Sequence, residues 1–116
     1  MESSLNEFLS TLKFNTDGLI VAIAQDESSK RVLMQAWMNK DSIIKTIQTK
    51  KVTYFSRSRN QLWIKGETSG NGQELIRISA DCDGDSLLLT VKQSGPACHT
   101  EQESCFDAGS AIERVQ

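Results

Sequence analysis

The sequence predicts a single α+β domain in which a compact, barrel-like and predominantly antiparallel sheet packs with two short helices. The chain has 116 residues, and a domain takes roughly 100 to 200, so we expect one domain over residues 1–116. Six short segments are rich in β-branched and apolar residues, whereas only two show helical apolar spacing. Hydrophobic residues make up 38% of the chain, which predicts a thin core completed by a partner subunit.

The first predicted helix covers residues 4–13, and Ser4 and Glu7 have the spacing of a capping box. Its apolar positions recur at helical spacing and are Leu5, Phe8, Leu9 and Leu12. The second helix covers residues 40–50. Asn39 is a favourable N-cap for it, and three isoleucines form one apolar face.

The six predicted strands follow one another as hairpin-length pairs. Their bounds are 19–24, 31–37, 52–56, 62–65, 74–80 and 86–92. Polar turns at 26–30, 57–60 and 81–85 separate the members of each pair, which predicts antiparallel pairing. The glycine-rich segment 66–72 cannot pack a core and is predicted to be a loop. Residues 107–116 have little to fold them and are predicted to form a flexible tail.

The net charge of −2 is unevenly distributed along the chain. Residues 40–77 carry eight basic and three acidic side chains, whereas residues 78–116 carry two basic and seven acidic ones. A basic middle suits anions and an acidic end suits cations. The longest apolar stretch, 19–24, is far too short to span a bilayer, and no export signal is expected at the acidic start of the chain. We therefore expect a cytoplasmic protein without a membrane partner.

Three cysteines lie in the acidic third, at Cys82, Cys98 and Cys105. Their spacing matches no zinc finger, but three thiolates with an open fourth position suit a catalytic zinc. His99 adjoins Cys98 and could either close the site as a fourth ligand or act beside it as a proton-transfer group. The residues alone also allow buried inert thiols or redox-active thiols.

Three aspartates alternate through the same region, at Asp81, Asp83 and Asp85. On an extended segment, this alternation would point the three carboxylates to one side and Cys82 to the other. Carboxylates are the ligands that Mg²⁺ prefers, so a magnesium site is one interpretation. A tight hairpin turn, in which Asp and Gly supply turn chemistry, is the other.

Basic residues flank the glycine-rich loop 66–72, at Arg57, Arg59 and Lys65. Backbone amides of the loop and the Thr68 and Ser69 hydroxyls could approach a phosphate that the guanidinium groups also bind. Two other interpretations use the neighbouring aromatic residues, which could stack on single-stranded nucleic acid or pack inside an ordinary hairpin. These aromatic residues are Tyr54, Phe55 and Trp63.

Taken together, five motifs in order resemble the phosphoribosyl-AMP cyclohydrolase family of histidine biosynthesis. The resemblance runs from about residue 18 to residue 106. The motifs are VLMQAWMN (32–39), SRSR (56–59), LWIKGETSG (62–70), DCDGD (81–85), and GPACH (95–99) with SCF (104–106).

The resemblance implies an intertwined homodimer that hydrolyses the N1–C6 bond of the adenine ring in 1-(5-phosphoribosyl)-AMP, giving the formimino-aminoimidazole carboxamide ribotide. A zinc-bound water would be the nucleophile. The metals implied are zinc at Cys82, Cys98 and Cys105, drawn from both subunits, and magnesium at Asp81, Asp83 and Asp85. The partners implied are a nucleotide with two phosphates and a second copy of the chain, with no nucleic acid.

The resemblance also gives roles to residues around the metals. His99 is the predicted catalytic proton carrier. The predicted substrate-binding residues are Arg57, Arg59, Lys65, Glu67, Thr68 and Ser69. Many family members have histidine where this chain has Asn71, so no role is carried over to that position. The alternative function is a zinc-containing nucleic-acid-binding module without catalytic activity.

Overall fold

The computed structural model describes residues 2–115, so Met1 and Gln116, the ends of the predicted domain, lie outside the described residues. The fold is α+β, with a curled six-stranded sheet that forms a half-barrel and two helices. The helices are α1 (Glu2–Ser10) and α2 (Lys40–Thr49). The strands are β1 (Ile20–Asp26), β2 (Val32–Met38), β3 (Thr53–Ser56), β4 (Gln61–Ile64), β5 (Gln73–Ala80) and β6 (Ser86–Gln93).

The sheet has the strand order β4-β3-β2-β1-β6-β5. The three predicted hairpins β1–β2, β3–β4 and β5–β6 are confirmed as antiparallel pairs. β1 and β6 run parallel, so the sheet is mixed, whereas β2 and β3 are antiparallel. A parallel pair needs a long crossover connection, and here α2 and four strands lie between its two members.

Helix α2 begins as predicted, at the Asn39 N-cap. The Asn39 side chain accepts a hydrogen bond from the Ser42 N–H at 2.8 Å, and the Ser42 hydroxyl accepts one from the Asn39 N–H at 2.9 Å. The helix ends at Lys50, which adopts the left-handed conformation with φ 64° and donates its N–H to the Thr46 carbonyl. The boundary follows from local capping chemistry, which explains why the sequence predicted it.

Helix α1 departs from the prediction at both ends. It starts at Glu2, so Ser4 lies inside the helix and the predicted capping box is wrong. It ends at Ser10, because the chain then turns to bond the β5–β6 turn: the Lys13 N–H donates to the Gly84 carbonyl at 2.7 Å. Gly84 has φ +74°, and a Cβ on it would lie 2.4 Å from the Thr11 carbonyl oxygen. This contact is possible only for glycine.

The two faces of the sheet differ in exposure. One face packs against the helices and forms the core, together with Leu9, Leu12 and Ile43. Its buried strand residues include Ile20, Ala22, Ala24, Leu87, Leu89 and Val91. The alternate residues form a partly exposed surface that we call the outer apolar face: Val21, Ile23, Trp37, Phe55 and Leu88.

The chain just before β3 closes one corner of the half-barrel against β5. The Val52 N–H donates to the Gln73 carbonyl at 3.0 Å, and the Leu75 N–H donates to the Lys50 carbonyl at 2.8 Å. On the other side of Val52, its carbonyl accepts from the Lys65 N–H at 2.9 Å. These bonds hold the two ends of the 66–72 loop near each other.

The chain after the sheet is anchored before it becomes exposed. A 3-10 turn covers Cys105–Asp107, and the Asp107 carboxylate bonds the Arg31 guanidinium at 2.7 Å. The predicted tail therefore begins one residue later than expected: residues 108–115 form no helix or strand and are exposed. Within residues 2–115, no helix is long and apolar enough to cross a membrane.

Candidate active site

A cleft of about 840 Å³ brings eight of the predicted site residues together. One wall, which we call the basic wall, is formed by β4 and the loop that follows it. The other, which we call the thiol wall, is formed by residues 97–105. The predicted residues that line the cleft are Arg59, Lys65, Glu67, Thr68, Ser69, Cys98, His99 and Cys105. The other predicted site residues, Arg57, Asp81, Cys82, Asp83 and Asp85, do not line it.

The basic wall depends on two glycines that meet at the neck of the loop. A Cβ on Gly66 would lie only 2.2 Å from the Gly72 nitrogen, and Gly66 has φ +83°. The Gly70 N–H donates to the Gly66 carbonyl at 2.8 Å and closes the first turn of the loop. The loop therefore presents Thr68 and Ser69 from a narrow, hydrogen-bonded neck. Their hydroxyls and the loop amides are donors that an anion can accept.

Lys65 supplies positive charge at the base of this wall. It is partly buried, and burial lowers the pKa of its ammonium group, an effect opposed by the nearby Cys105 and Cys98 thiols. Lys65 therefore lies between the loop and the thiols, in a position to attract an anion that spans the cleft.

The thiol wall is a tight turn fastened to β2. The Ala97 N–H donates to the Glu103 carbonyl at 3.1 Å, and the Cys98 N–H donates to the Gln102 carbonyl at 3.2 Å. Ser104 is fully buried, and its hydroxyl donates to the Val32 carbonyl at 2.7 Å. These bonds fix the backbone on both sides of Cys98 and immediately before Cys105.

The two thiols of this wall have opposite electrostatic environments. The Thr100 hydroxyl donates to the Cys98 sulfur at 3.1 Å, and this bond is the main cause that lowers the pKa of Cys98. Burial raises the pKa of Cys105 to about 11, and its hydrogen bond with Cys98 adds to the shift. Cys98 is therefore the thiol of the pair that loses its proton more readily.

These residues fit a zinc ion in chemistry but do not complete its ligand set within one chain. Thiolates are soft ligands that zinc prefers, and Cys98 and Cys105 lie together. Cys82 is exposed in the β5–β6 turn, away from the cleft. Among residues 2–115, no three His, Cys, Asp or Glu side chains form a group that could hold a metal ion. A third thiol at this cleft would therefore have to come from another chain.

The acidic segment 81–85 is a hairpin turn and not an extended segment. The predicted alternation of carboxylates on one side and Cys82 on the other is therefore wrong, because Gly84 turns the chain at φ +74°. The Cys82 thiol in fact contacts the Asp83 carboxylate at 3.6 Å. One Asp81 carboxylate oxygen accepts from the Asp85 N–H at 3.2 Å, as in many aspartate turns.

Arg57 lies on the opposite side of the sheet from the core. Its guanidinium carbon is 5.0 Å from the centre of the Trp37 ring, which is within cation–π distance. Trp37 belongs to the outer apolar face, so Arg57 extends that face and does not reach the cleft of its own chain.

Several residues that contribute to the cleft were not selected from the sequence. Met34, Gln61, Asn71 and Glu101 line it, as does Trp63, which the sequence suggested only as a stacking or core residue. The position of Thr100, two residues after Cys98, was the one local signal available for a hydroxyl partner to the thiol. The others lie far apart in the chain and meet only in the folded sheet.

Comparison with known proteins assigns the chain to a family. The sequence model described as Phosphoribosyl-AMP cyclohydrolase matches residues 34–107, a segment that contains both walls of the cleft and the acidic turn. The chain belongs to the phosphoribosyl-AMP cyclohydrolase family. Curated proteins with this name agree with the match. The protein of Ruegeria sp. (strain TM1040) is 57% identical over 96 residues, which are 83% of this chain and 74% of that protein.

Two further relatives in this cyclohydrolase family are similar over comparable lengths. The Chlorobaculum tepidum protein is 53% identical over 105 residues, covering 90% of this chain and 77% of that protein. The Halorhodospira halophila protein is 58% identical over 98 residues, covering 84% of this chain and 69% of that protein. Both are named Phosphoribosyl-AMP cyclohydrolase, which is a hydrolase. The family resemblance and the prediction of an enzyme are thereby confirmed.

Proposed function

We propose that this chain opens the adenine ring of 1-(5-phosphoribosyl)-AMP by hydrolysis of the N1–C6 bond, the third step of histidine biosynthesis, in the cytoplasm. The observation that carries the proposal is the cleft itself. In a member of the cyclohydrolase family, it places a histidine and two thiols opposite a loop and cations suited to phosphate. Hydrolysis of a nucleotide ring needs one wall that binds phosphate and another that carries the reacting groups.

The basic wall holds the substrate by its charge and its hydroxyls. Arg59 and Lys65 provide cations, and Thr68 and Ser69 provide donors, for one phosphate. The Glu67 carboxylate lines the same cleft and accepts hydrogen bonds from ribose hydroxyls or the exocyclic amine. Holding the reacting atoms within about 3–3.5 Å of each other supplies much of the rate enhancement.

Zinc would be held by Cys98 and Cys105 together with the partner subunit's Cys82. When bound, the ion lowers the pKa of a water molecule and so supplies a nucleophile at neutral pH. The Thr100 hydroxyl supports this assignment, because it stabilises the charged form of Cys98 that a metal requires. Asp81, Asp83 and Asp85 supply the hard oxygen donors that magnesium prefers. Within residues 2–115 they do not form a group that could hold an ion, so magnesium would need further oxygen ligands from the substrate or the partner subunit.

His99 is the proposed proton carrier. It lies on the thiol wall beside Cys98 and is exposed to the cleft. The imidazole would take a proton as the water oxygen bonds to C6, and would deliver it to N1 as the C6–N1 bond breaks. C6 then stays on the imidazole ring as the carbon of a carboxamide, and N1 stays on the formimino arm.

A homodimer would complete the site. The outer apolar face leaves Leu88 exposed and Trp37 partly exposed on one sheet surface, and apolar surfaces of this kind commonly mark subunit contacts. A second copy is the occupant that also supplies a third thiol, because Cys82 is exposed and lies outside the cleft of its own chain. Arg57 extends the same face, so its predicted contact with substrate would be made across the dimer.

The direct test is to incubate the purified chain with phosphoribosyl-AMP and follow the ultraviolet change on ring opening. We expect turnover that a chelator abolishes and added zinc restores. His99→Ala is expected to lower the rate and change the pH profile. Absence of turnover in the zinc-loaded protein, together with salt-sensitive oligonucleotide binding, would overturn the proposal in favour of the nucleic-acid-binding module.

Mixing two inactive variants tests whether the zinc site is shared. Cys82→Ser and Cys98→Ser are each expected to be inactive alone. In a mixed dimer, the intact Cys82 of one chain meets the intact Cys98 and Cys105 of the other, so one of two sites is complete. Random mixing then restores about one quarter of the wild-type activity. No recovery after denaturation and co-refolding would show that each site is built from a single chain.

A further inference from the structure

We propose that Gln93 is a positioning residue that fastens the basic wall to the thiol wall. Its side-chain amide donates to the Asn71 carbonyl at 3.2 Å and to the Ser94 carbonyl at 3.1 Å. Asn71 lies at the end of the basic-wall loop, and Ser94 begins the segment that leads to Cys98. One amide group therefore bonds the end of the basic wall and the first residue of the segment that leads to the thiol wall. This inference rests on the proposed function, because it concerns the geometry of that active site.

The Gln93 side chain is itself held by a network of hydrogen bonds from buried side chains beneath the cleft. Its side-chain oxygen accepts from the Gln73 amide at 2.9 Å, and the Gln73 oxygen accepts from the Tyr54 hydroxyl at 2.6 Å. Gln73 is 3% exposed and Tyr54 is fully buried. The remaining N–H of Gln73 points at the Met34 sulfur at 3.4 Å. A buried network with every donor and acceptor paired is rigid and costly to break.

The Asn71 and Ser94 carbonyls decide which group donates and which accepts in this hydrogen-bonded network. The carbonyls of Asn71 and Ser94 can only accept, so Gln93 must present its NH₂ group to them and its oxygen to Gln73. Gln73 must then donate to Gln93 and accept from Tyr54. The backbone of the two walls thereby fixes the orientation of both amides.

Two more contacts join the walls at the same place. The Ser94 N–H donates to the Gly72 carbonyl at 3.0 Å. The Asn71 side chain lies over Gly95, where a Cβ would be 2.4 Å from the Asn71 side-chain oxygen. The phosphate-binding loop and the cysteine segment are therefore one body at this corner. Loss of the Gln93 side-chain bonds would loosen this corner and would shift a bound phosphate relative to the reacting atoms.

The test replaces Gln93 by methionine, which has a similar length and no hydrogen-bond donor. In the zinc-loaded enzyme, we expect Gln93→Met to lower kcat/KM by about tenfold or more, with a fall in kcat as well as a rise in KM, because misplacement reduces transition-state contacts. Zinc content is expected to match the wild type. Gln48→Met is the matched control, because Gln48 is an exposed glutamine on α2 and does not line the cleft. It should leave kcat and KM unchanged.

A double-mutant cycle tests the hydrogen bond from Gln73 that holds Gln93 in place. Gln73→Met should show the same kinetic defect in weaker form, and Gln73→Met combined with Gln93→Met should be no worse than Gln93→Met alone. If Gln93→Met does not fold, Gln93→Asn keeps the amide but is one methylene too short to span both walls. It is expected to show the same split between kcat and KM.

The outcomes separate the two proposals. If the wild type has no activity on phosphoribosyl-AMP, the proposed function fails. If the wild type is active, and folded Gln93→Met or Gln93→Asn keeps kcat/KM within about twofold of it, the positioning role of Gln93 is wrong. Additive effects of the Gln73 and Gln93 substitutions would show that the two side chains do not act as one hydrogen-bonded network.

Discussion

Gly66→Ala is the substitution that the cleft should tolerate least among its small residues. The new Cβ would lie 2.2 Å from the Gly72 nitrogen, 2.4 Å from the Gly72 Cα and 2.5 Å from the Asn71 carbonyl carbon. All three are backbone atoms, so no side chain can rotate away. Normal contacts between such atoms are near 3.5–4.0 Å, so the neck of the loop would have to open by more than about 1 Å.

A matched variant separates the cost of the steric overlap at Gly66 from the cost of backbone strain. Gly18 has φ +75°, close to the +83° of Gly66, but a Cβ there meets no atom within 4 Å. Gly18→Ala should therefore cost only the strain, about 1 kcal/mol. Gly66→Ala adds the steric overlap and the loss of the Gly70 to Gly66 hydrogen bond, for a total of about 3 kcal/mol.

Thermal or urea unfolding of both variants measures this difference. At about 4 °C of melting temperature per kcal/mol, we expect a loss of about 4 °C for Gly18→Ala and about 12 °C for Gly66→Ala. Gly66→Ala should also lose turnover of phosphoribosyl-AMP below its melting temperature, because the phosphate-binding loop is displaced. Equal stabilities for the two variants, with wild-type kcat/KM in Gly66→Ala, would refute the steric argument.

Three further substitutions test anchoring contacts away from the cleft. Ser104→Ala leaves the Val32 carbonyl without its buried donor, and we expect a loss of about 1–3 kcal/mol in urea unfolding; a loss below about 0.5 kcal/mol contradicts the anchor. Arg31→Gln removes exposed ion pairs, so we expect only a small decrease in the urea midpoint, and a smaller one in high salt; a salt-independent loss contradicts this. Hydrogen bonds from Ser29 lower the pKa of Asp26, so its contribution is present above the unfolded pKa and lost as pH falls through the folded pKa. Asp26→Ala should therefore lower the urea midpoint at pH 7 and have little effect at about pH 2; equal effects at both would show that charge is not involved.

The sequence predicted features that depend on neighbouring residues. The Asn39 cap and the hairpin of β5 and β6 follow from local chemistry, and both are confirmed. Cys98, His99 and Cys105 lie within eight residues and so meet on one wall. In contrast, the sequence did not predict the parallel pairing of β1 with β6. Both strands are apolar runs, and each is equally compatible with other neighbouring strands.

The errors arose where a distant contact or a backbone angle decides the structure. Helix α1 ends early because Lys13 bonds Gly84, which follows it by some seventy residues. The acidic segment bends because Gly84 takes a positive φ, which the alternation of Asp and Cys does not reveal. The bridge from Gln73 to Gln93 has no sequence signal, because two glutamines twenty residues apart match no motif.

The parallel pair of β1 and β6 is the boundary between two halves of the sheet. Residues 20–64 form four strands from successive neighbours, and residues 73–93 form a separate hairpin. The halves meet along β1 and β6 and at the corner where Val52 bonds Gln73. Opening along this seam would be a subglobal event that leaves both groups of hairpins intact. The basic wall belongs to the first half, whereas the thiol wall follows the second half in the chain and is bonded to β2 of the first. A mildly destabilised variant could therefore keep its far-ultraviolet circular dichroism while its catalytic competence declines, and hydrogen exchange at the seam would report that loss first.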